Sequence, residues 1–111
     1  MKRTDFETRL GKLGLNLTVY ENAAYYGACD NWSVSLQPYP GEEVRQAKLA
    51  VRIPARERSV VVDTFLAAAN VKKTPQIAQA LEAGEDFRGK SDLKEVSFTS
   101  IDSELVFNVM E

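Results

Sequence analysis

Gln46-Ala47-Lys48-Leu49-Ala50-Val51-Arg52-Ile53-Pro54 alternates without a break: Ala47, Leu49, Val51 and Ile53 share one face, and Gln46, Lys48, Ala50 and Arg52 share the other. Alternation with a period of two is the mark of a strand that has one side in a core and one in water. Pro54 ends it, because proline has no N–H to give to a ladder. Upstream, Gln37-Pro38-Tyr39-Pro40-Gly41 is a strong breaker. Before it, the turn candidates Glu21-Asn22 and Asp30-Asn31 set off two further strands, near Ala24 to Ala28 and Trp32 to Leu36. Leu15, Leu17 and Val19 alternate with Asn16, Thr18 and Tyr20 as another strand. Thr4 and Glu7 have the spacing of a capping box in front of Phe6, Leu10 and Leu13, which predicts a short helix ending at Gly14.

Downstream, the β-branched run Val60-Val61-Val62 favours a strand, but Ala67-Ala68-Ala69 favours a helix capped by Ser59 and stopped at Asn70, and the helix is the preferred reading. Thr74-Pro75 followed by Gly84 frames a second short helix with a cap, a first-turn proline and a terminal glycine. Val96 and Phe98, then Leu105, Phe107 and Val109, flank Asp102-Ser103 as a closing hairpin. This order predicts one α+β domain over residues 1–111: an antiparallel sheet of about four to six strands with two or three short helices packed on one face.

Composition narrows the function classes. With 111 residues, 44% apolar and 27% charged, the chain suits a single globular domain with a core. No histidine and a single cysteine, Cys29, leave no usual zinc site, no histidine-based triad and no intrachain disulfide. The charged start from Lys2 to Lys12 is not a signal peptide, and no apolar run is long enough to span a bilayer, so a cytoplasmic protein with no membrane partner is expected. Cys29 is then expected to be a reduced thiol that packs rather than reacts.

Gly84-Glu85-Asp86-Phe87-Arg88-Gly89-Lys90-Ser91 matches the phosphate-loop pattern G-x-x-x-x-G-K-[ST] letter for letter. Its surroundings oppose that chemistry. A helix precedes Gly84 where a buried strand is needed, a strand rather than a long helix follows Ser91, and Glu85 and Asp86 would sit against the phosphates. The segment is read instead as a helix-capping glycine and a charged loop. A helix-turn-helix over Thr64 to Leu81 fails on similar grounds, since its second helix offers Glu82 and no basic residue. The carboxylates show no spacing that marks an acid–base pair, so no catalytic residue, metal or cofactor is assigned.

Two distributions remain. Trp32 and all four tyrosines, Tyr20, Tyr25, Tyr26 and Tyr39, lie within twenty residues, whereas all five phenylalanines lie outside that window. Tyrosine and tryptophan anchor interfaces, whereas phenylalanine suits dry interiors. In a strand Tyr25 and Tyr26 point to opposite faces, so one of them leaves the core. Charge is uneven as well: residues 1–58 carry net +2 and residues 59–111 net −4. Arg45, Lys48, Arg52, Arg56 and Arg58 run along and past the half-exposed strand. The expected function is therefore a small non-enzymatic protein-interaction module, an accessory factor or inhibitor of the kind that phages and mobile elements encode. It would form a homodimer through a sheet edge or the aromatic-rich strands, with Tyr20, Tyr25, Tyr26, Trp32 and Tyr39 meeting the partner. The alternative is a weak nucleic-acid or anion binder using the five basic residues, sensitive to salt because so few charges are available.

Overall fold

The computed structural model describes residues 1–52 and 55–111, and in the second span it describes side chains from residue 57 onward. Ile53, Pro54 and the Arg56 side chain, all invoked above, lie outside the described residues. The elements run α1 (Arg3–Gly11), β1 (Thr18–Tyr20), β2 (Ala24–Cys29), β3 (Trp32–Gln37), β4 (Gln46–Val51), α2 (Ala55–Ala68), α3 (Pro75–Ala83), β5 (Phe87–Ser91), β6 (Lys94–Ile101) and β7 (Glu104–Met110). The α+β class holds. The strands number seven among the described residues, not four to six, and form a single antiparallel sheet in the order β1-β2-β3-β4-β7-β6-β5.

The additional strand is β5, whose residues spell a charged loop in the sequence. Arg88, Gly89 and Lys90 carry no strand signal of their own, yet they pair with Ser97, Val96 and Glu95, because Phe87 anchors the segment on Phe98 with the rings stacked at 5.3 Å. Tight turns link the meanders: Glu21 and Asn22, and Asp102 and Ser103, all have positive φ, the conformation that two-residue hairpin turns require.

The helices are placed mostly as expected. Thr74 caps α3 by accepting from the Ile77 N–H at 3.3 Å, and Gly84 ends it in the left-handed region. α2 begins at Ala55 rather than at Ser59 and includes the whole valine run, because Val61 and Val62 are buried and burial outweighs their modest helix propensity. The capping box of α1 is not formed, since Thr4 lies inside the helix. Its N–H instead donates to the Glu42 carboxylate at 3.0 Å, so the cap comes from the β3–β4 loop.

Register fixes the two sheet faces. Gly27, Val34, Leu49, Phe107, Phe98 and Phe87 form one cross-strand row. This row belongs to the core, which also holds Phe6, Leu10, Val61, Phe65, Leu66 and Ile77 from the helices. All five phenylalanines touch in sequence, Phe6–Phe65–Phe107–Phe98–Phe87, with ring centroids 4.7 to 6.2 Å apart. Gly27 is required where the chain before β1 crosses β2, because a Cβ there would lie 2.5 Å from the Asn16 carbonyl oxygen. Thr18, Tyr26, Ser35, Lys48, Asn108, Ser97 and Arg88 form the matching row on the outer face.

Candidate interaction surface

A phosphate loop needs successive N–H groups curled round an anion. Here Gly84 caps a helix, while Gly89 and Lys90 lie in an extended ladder opposite Val96 and Glu95. The pattern is a coincidence of letters spread over a helix end and a strand.

The basic residues are not gathered into one stripe. Lys48 and Arg52 share the outer face, but Arg52 Nε donates to Glu104 Oε2 at 2.7 Å, which neutralises it locally. Arg45 is exposed just before β4, and Arg58 belongs to α2, in the helical layer. Of these five residues, only Lys48 leaves a cation without an ion-pair partner on the sheet face among the described side chains; Arg88 and Lys90 lie on the same face, on β5.

The five tyrosine and tryptophan residues also divide. Tyr25 is 7% exposed, and its hydroxyl accepts from Arg3 Nη1 at 2.7 Å and from the Gly41 N–H at 3.1 Å. The Arg3 guanidinium also lies 4.8 Å from the ring centroid, and Tyr39 meets the ring edge-on at 5.2 Å. This cluster ties α1, β2 and the β3–β4 loop together, and the hydrogen bond from Arg3 to Tyr25 is the main cause that raises the guanidinium pKa. Glu42 closes the same cluster. Its pKa is lowered, first by hydrogen bonding from Thr4 and then by the charges of Arg3 and Lys2. Trp32 is half-buried on the core face, directly opposite Cys29. Burial pushes the Cys29 thiol pKa up and Asp30 adds to it, which disfavours the reactive thiolate.

Tyr20 and Tyr26 differ from the rest. They are 57% and 39% exposed, lie on the outer face and touch with centroids 5.9 Å apart. Tyr20 belongs to β1, the outermost strand, all of whose residues are exposed. Val19, on the opposite face of that strand, is 46% exposed. Sequence reasoning named Tyr20 and Tyr26 but passed over Thr18 and Val19. The signal that would have found them is the absence of charge along Thr18-Val19-Tyr20, which marks an unguarded edge once the strand is known to be outermost. Among the described residues no helix is long and apolar enough to cross a membrane. No protein-family model matches the chain, and no curated protein or solved structure shows significant similarity to it.

Proposed function

We propose that this chain is a cytoplasmic, non-enzymatic protein-interaction module, an accessory factor or inhibitor that docks by strand addition at β1 and forms a homodimer through that edge. One observation carries the reading: β1 is exposed along its whole length, bears no charge and presents Tyr20 with Tyr26 on one face and Val19 on the other. A free strand edge offers N–H and C=O groups in alternation, and another extended main chain is the partner that satisfies them.

A second copy suits this edge. With a twofold axis through Val19, Thr18 of one copy lies opposite Tyr20 of the other, and the two Val19 side chains meet on the axis. Tyr20 and Tyr26 from both copies then lie within reach of one another on the outer face, where aromatic cross-strand neighbours add about 0.2 to 1 kcal/mol each. Glu21 falls opposite Leu17, so no like charges meet.

Light scattering from the low micromolar to the millimolar range tests this directly. The native chain is expected to dimerise, and Val19→Lys, which places two ammonium groups on the axis, to weaken dimerisation at least about tenfold, or 1.4 kcal/mol. A native chain that stays monomeric throughout would remove the homodimer. If Tyr20→Ala and Tyr26→Ala also leave partner capture from the host unchanged, β1 is not the docking edge. Salt-sensitive binding of a single-stranded oligonucleotide, lost in Lys48→Glu, would favour the anion-binding alternative.

A further inference from the structure

A groove of about 460 Å³ opens where the turn after α1, the β2–β3 turn and the first half of α2 meet. Leu13, Trp32, Val60 and Val61 supply its apolar walls, with Cys29 beside Trp32. The charged side chains described along it are both carboxylates, Asp30 from the turn and Glu57 from the first turn of α2. Val60 is 53% exposed. A β-branched residue facing water on a helix gains little burial and has a lower helix propensity than alanine or lysine, so folding alone gives no reason for it. It also lies three residues after Glu57, hence on the same helix face, where one side chain offers apolar surface and the other a negative charge.

We infer that this groove docks a peptide segment of a partner protein that presents an arginine or lysine next to an apolar side chain. The indole of Trp32 attracts a guanidinium or ammonium group over its face, arginine most of all. Asp30 and Glu57 add Coulombic attraction at the rim, while Val60, Val61 and Leu13 cover the neighbouring apolar group. The same two carboxylates repel phosphate, which disfavours a nucleic-acid strand. The volume suits a few side chains and not a folded domain. The inference rests on the chain being a docking protein, but it shares no residue with the β1 edge.

Trp32 is the sole tryptophan, so its fluorescence reports on this groove without a label. A short capped peptide alternating leucine and arginine, titrated into both the native chain and Val19→Lys, is expected to give a saturable emission change of equal affinity in the two proteins. Asp30→Asn combined with Glu57→Gln, with circular dichroism unchanged, is expected to weaken it about tenfold. Equal binding of a leucine–glutamate peptide, or no loss in the neutralised variant, would overturn the inference. Saturation by arginine amide at the same concentrations would do so too, by showing a small-cation pocket in place of a peptide site. Loss of peptide binding in Val19→Lys alone would place the peptide at the β1 edge instead, whereas absence of a dimer with peptide binding intact would leave the groove standing and remove only the homodimer.

Discussion

The two edges of the sheet are built on opposite principles. β5 has Phe87 stacked on Phe98 and so joins the chain of phenylalanine rings that reaches α1. On the other face it carries exposed Arg88 and Lys90. A copy of β5 paired with itself about Gly89 would set Arg88 opposite Lys90 twice, which is a guard against edge-to-edge association. β1 has neither device: no buried residue holds it to the core, and no charge keeps another strand away. In the half of the molecule that carries β1, a polar cluster of Arg3, Tyr25, Gly41 and Glu42 is added to the buried contacts of Phe6, Leu10, Leu15 and Leu36. One edge is closed by chemistry and the other is left open, which is why docking is proposed at β1.

The largest effect expected from this contrast is on stability. Phe98→Ala removes the ring between Phe87 and Phe107 and leaves a cavity in the packed row, so denaturant unfolding should show a loss of about 3 to 5 kcal/mol. Tyr20→Ala, measured at concentrations where the chain is monomeric, should stay within about 0.5 kcal/mol of the native protein. A comparable cost for both would mean that β1 is as much part of the core as β5, and the contrast would fail. The next effect concerns association. Replacing Arg88 and Lys90 together with threonine removes two like-charge pairs from a β5–β5 contact, worth up to about 1 kcal/mol each. Sedimentation velocity should then show species beyond the proposed β1 dimer that the native chain does not form. If none appear, charge is not what guards β5.

Both edges were only partly legible in the sequence, for different reasons. β4 and β7 could be read because each pairs an apolar row with a polar one, and that alternation is the trace of one buried face, whereas β2 and β3 were set off by the turns at Glu21-Asn22 and Asp30-Asn31. β5 has a single anchor, Phe87, and its remaining residues spell a nucleotide-binding pattern, so its pairing depends on β6 and not on its own letters. β1 was read too long, from Leu15, because Leu15 is buried where the chain crosses Gly27 and not as part of a ladder. The aromatic window was legible as a cluster of residues, but their separation was not. That Tyr25 would be enclosed while Tyr26 faced water followed from strand alternation, but which of the two took the core depended on Arg3 and Gly41, which are far from it in sequence. The Trp32 groove was beyond reach for the same reason, since the turn after α1, a hairpin turn and α2 supply its walls.

The smallest effect separates the polar half from the aromatic half by pH. Glu42 accepts from the Thr4 N–H at 3.0 Å and pairs with Arg3 Nη2 at 3.2 Å, and its pKa is lowered in the folded chain. A group whose folded pKa is depressed stabilises the fold at pH above its unfolded value, near 4.5, and that contribution is lost as pH falls through the folded value. Below both values the contribution is gone, and the Thr4 amide loses its charged acceptor. Because the carboxylate is exposed and screened, global stability should change little, and the sensitive readout is local. Hydrogen exchange followed by NMR from pH 6 down to pH 3, corrected for intrinsic rates, should show protection falling at Thr4 while Phe98, held by rings that do not titrate, keeps its own. Glu42→Gln should show the reduced Thr4 protection already at pH 6. If that variant protects Thr4 as fully as the native chain at every pH, the carboxylate charge contributes nothing to the tie, and Tyr25 and Arg3 carry it together with the apolar contacts of Phe6 and Leu10.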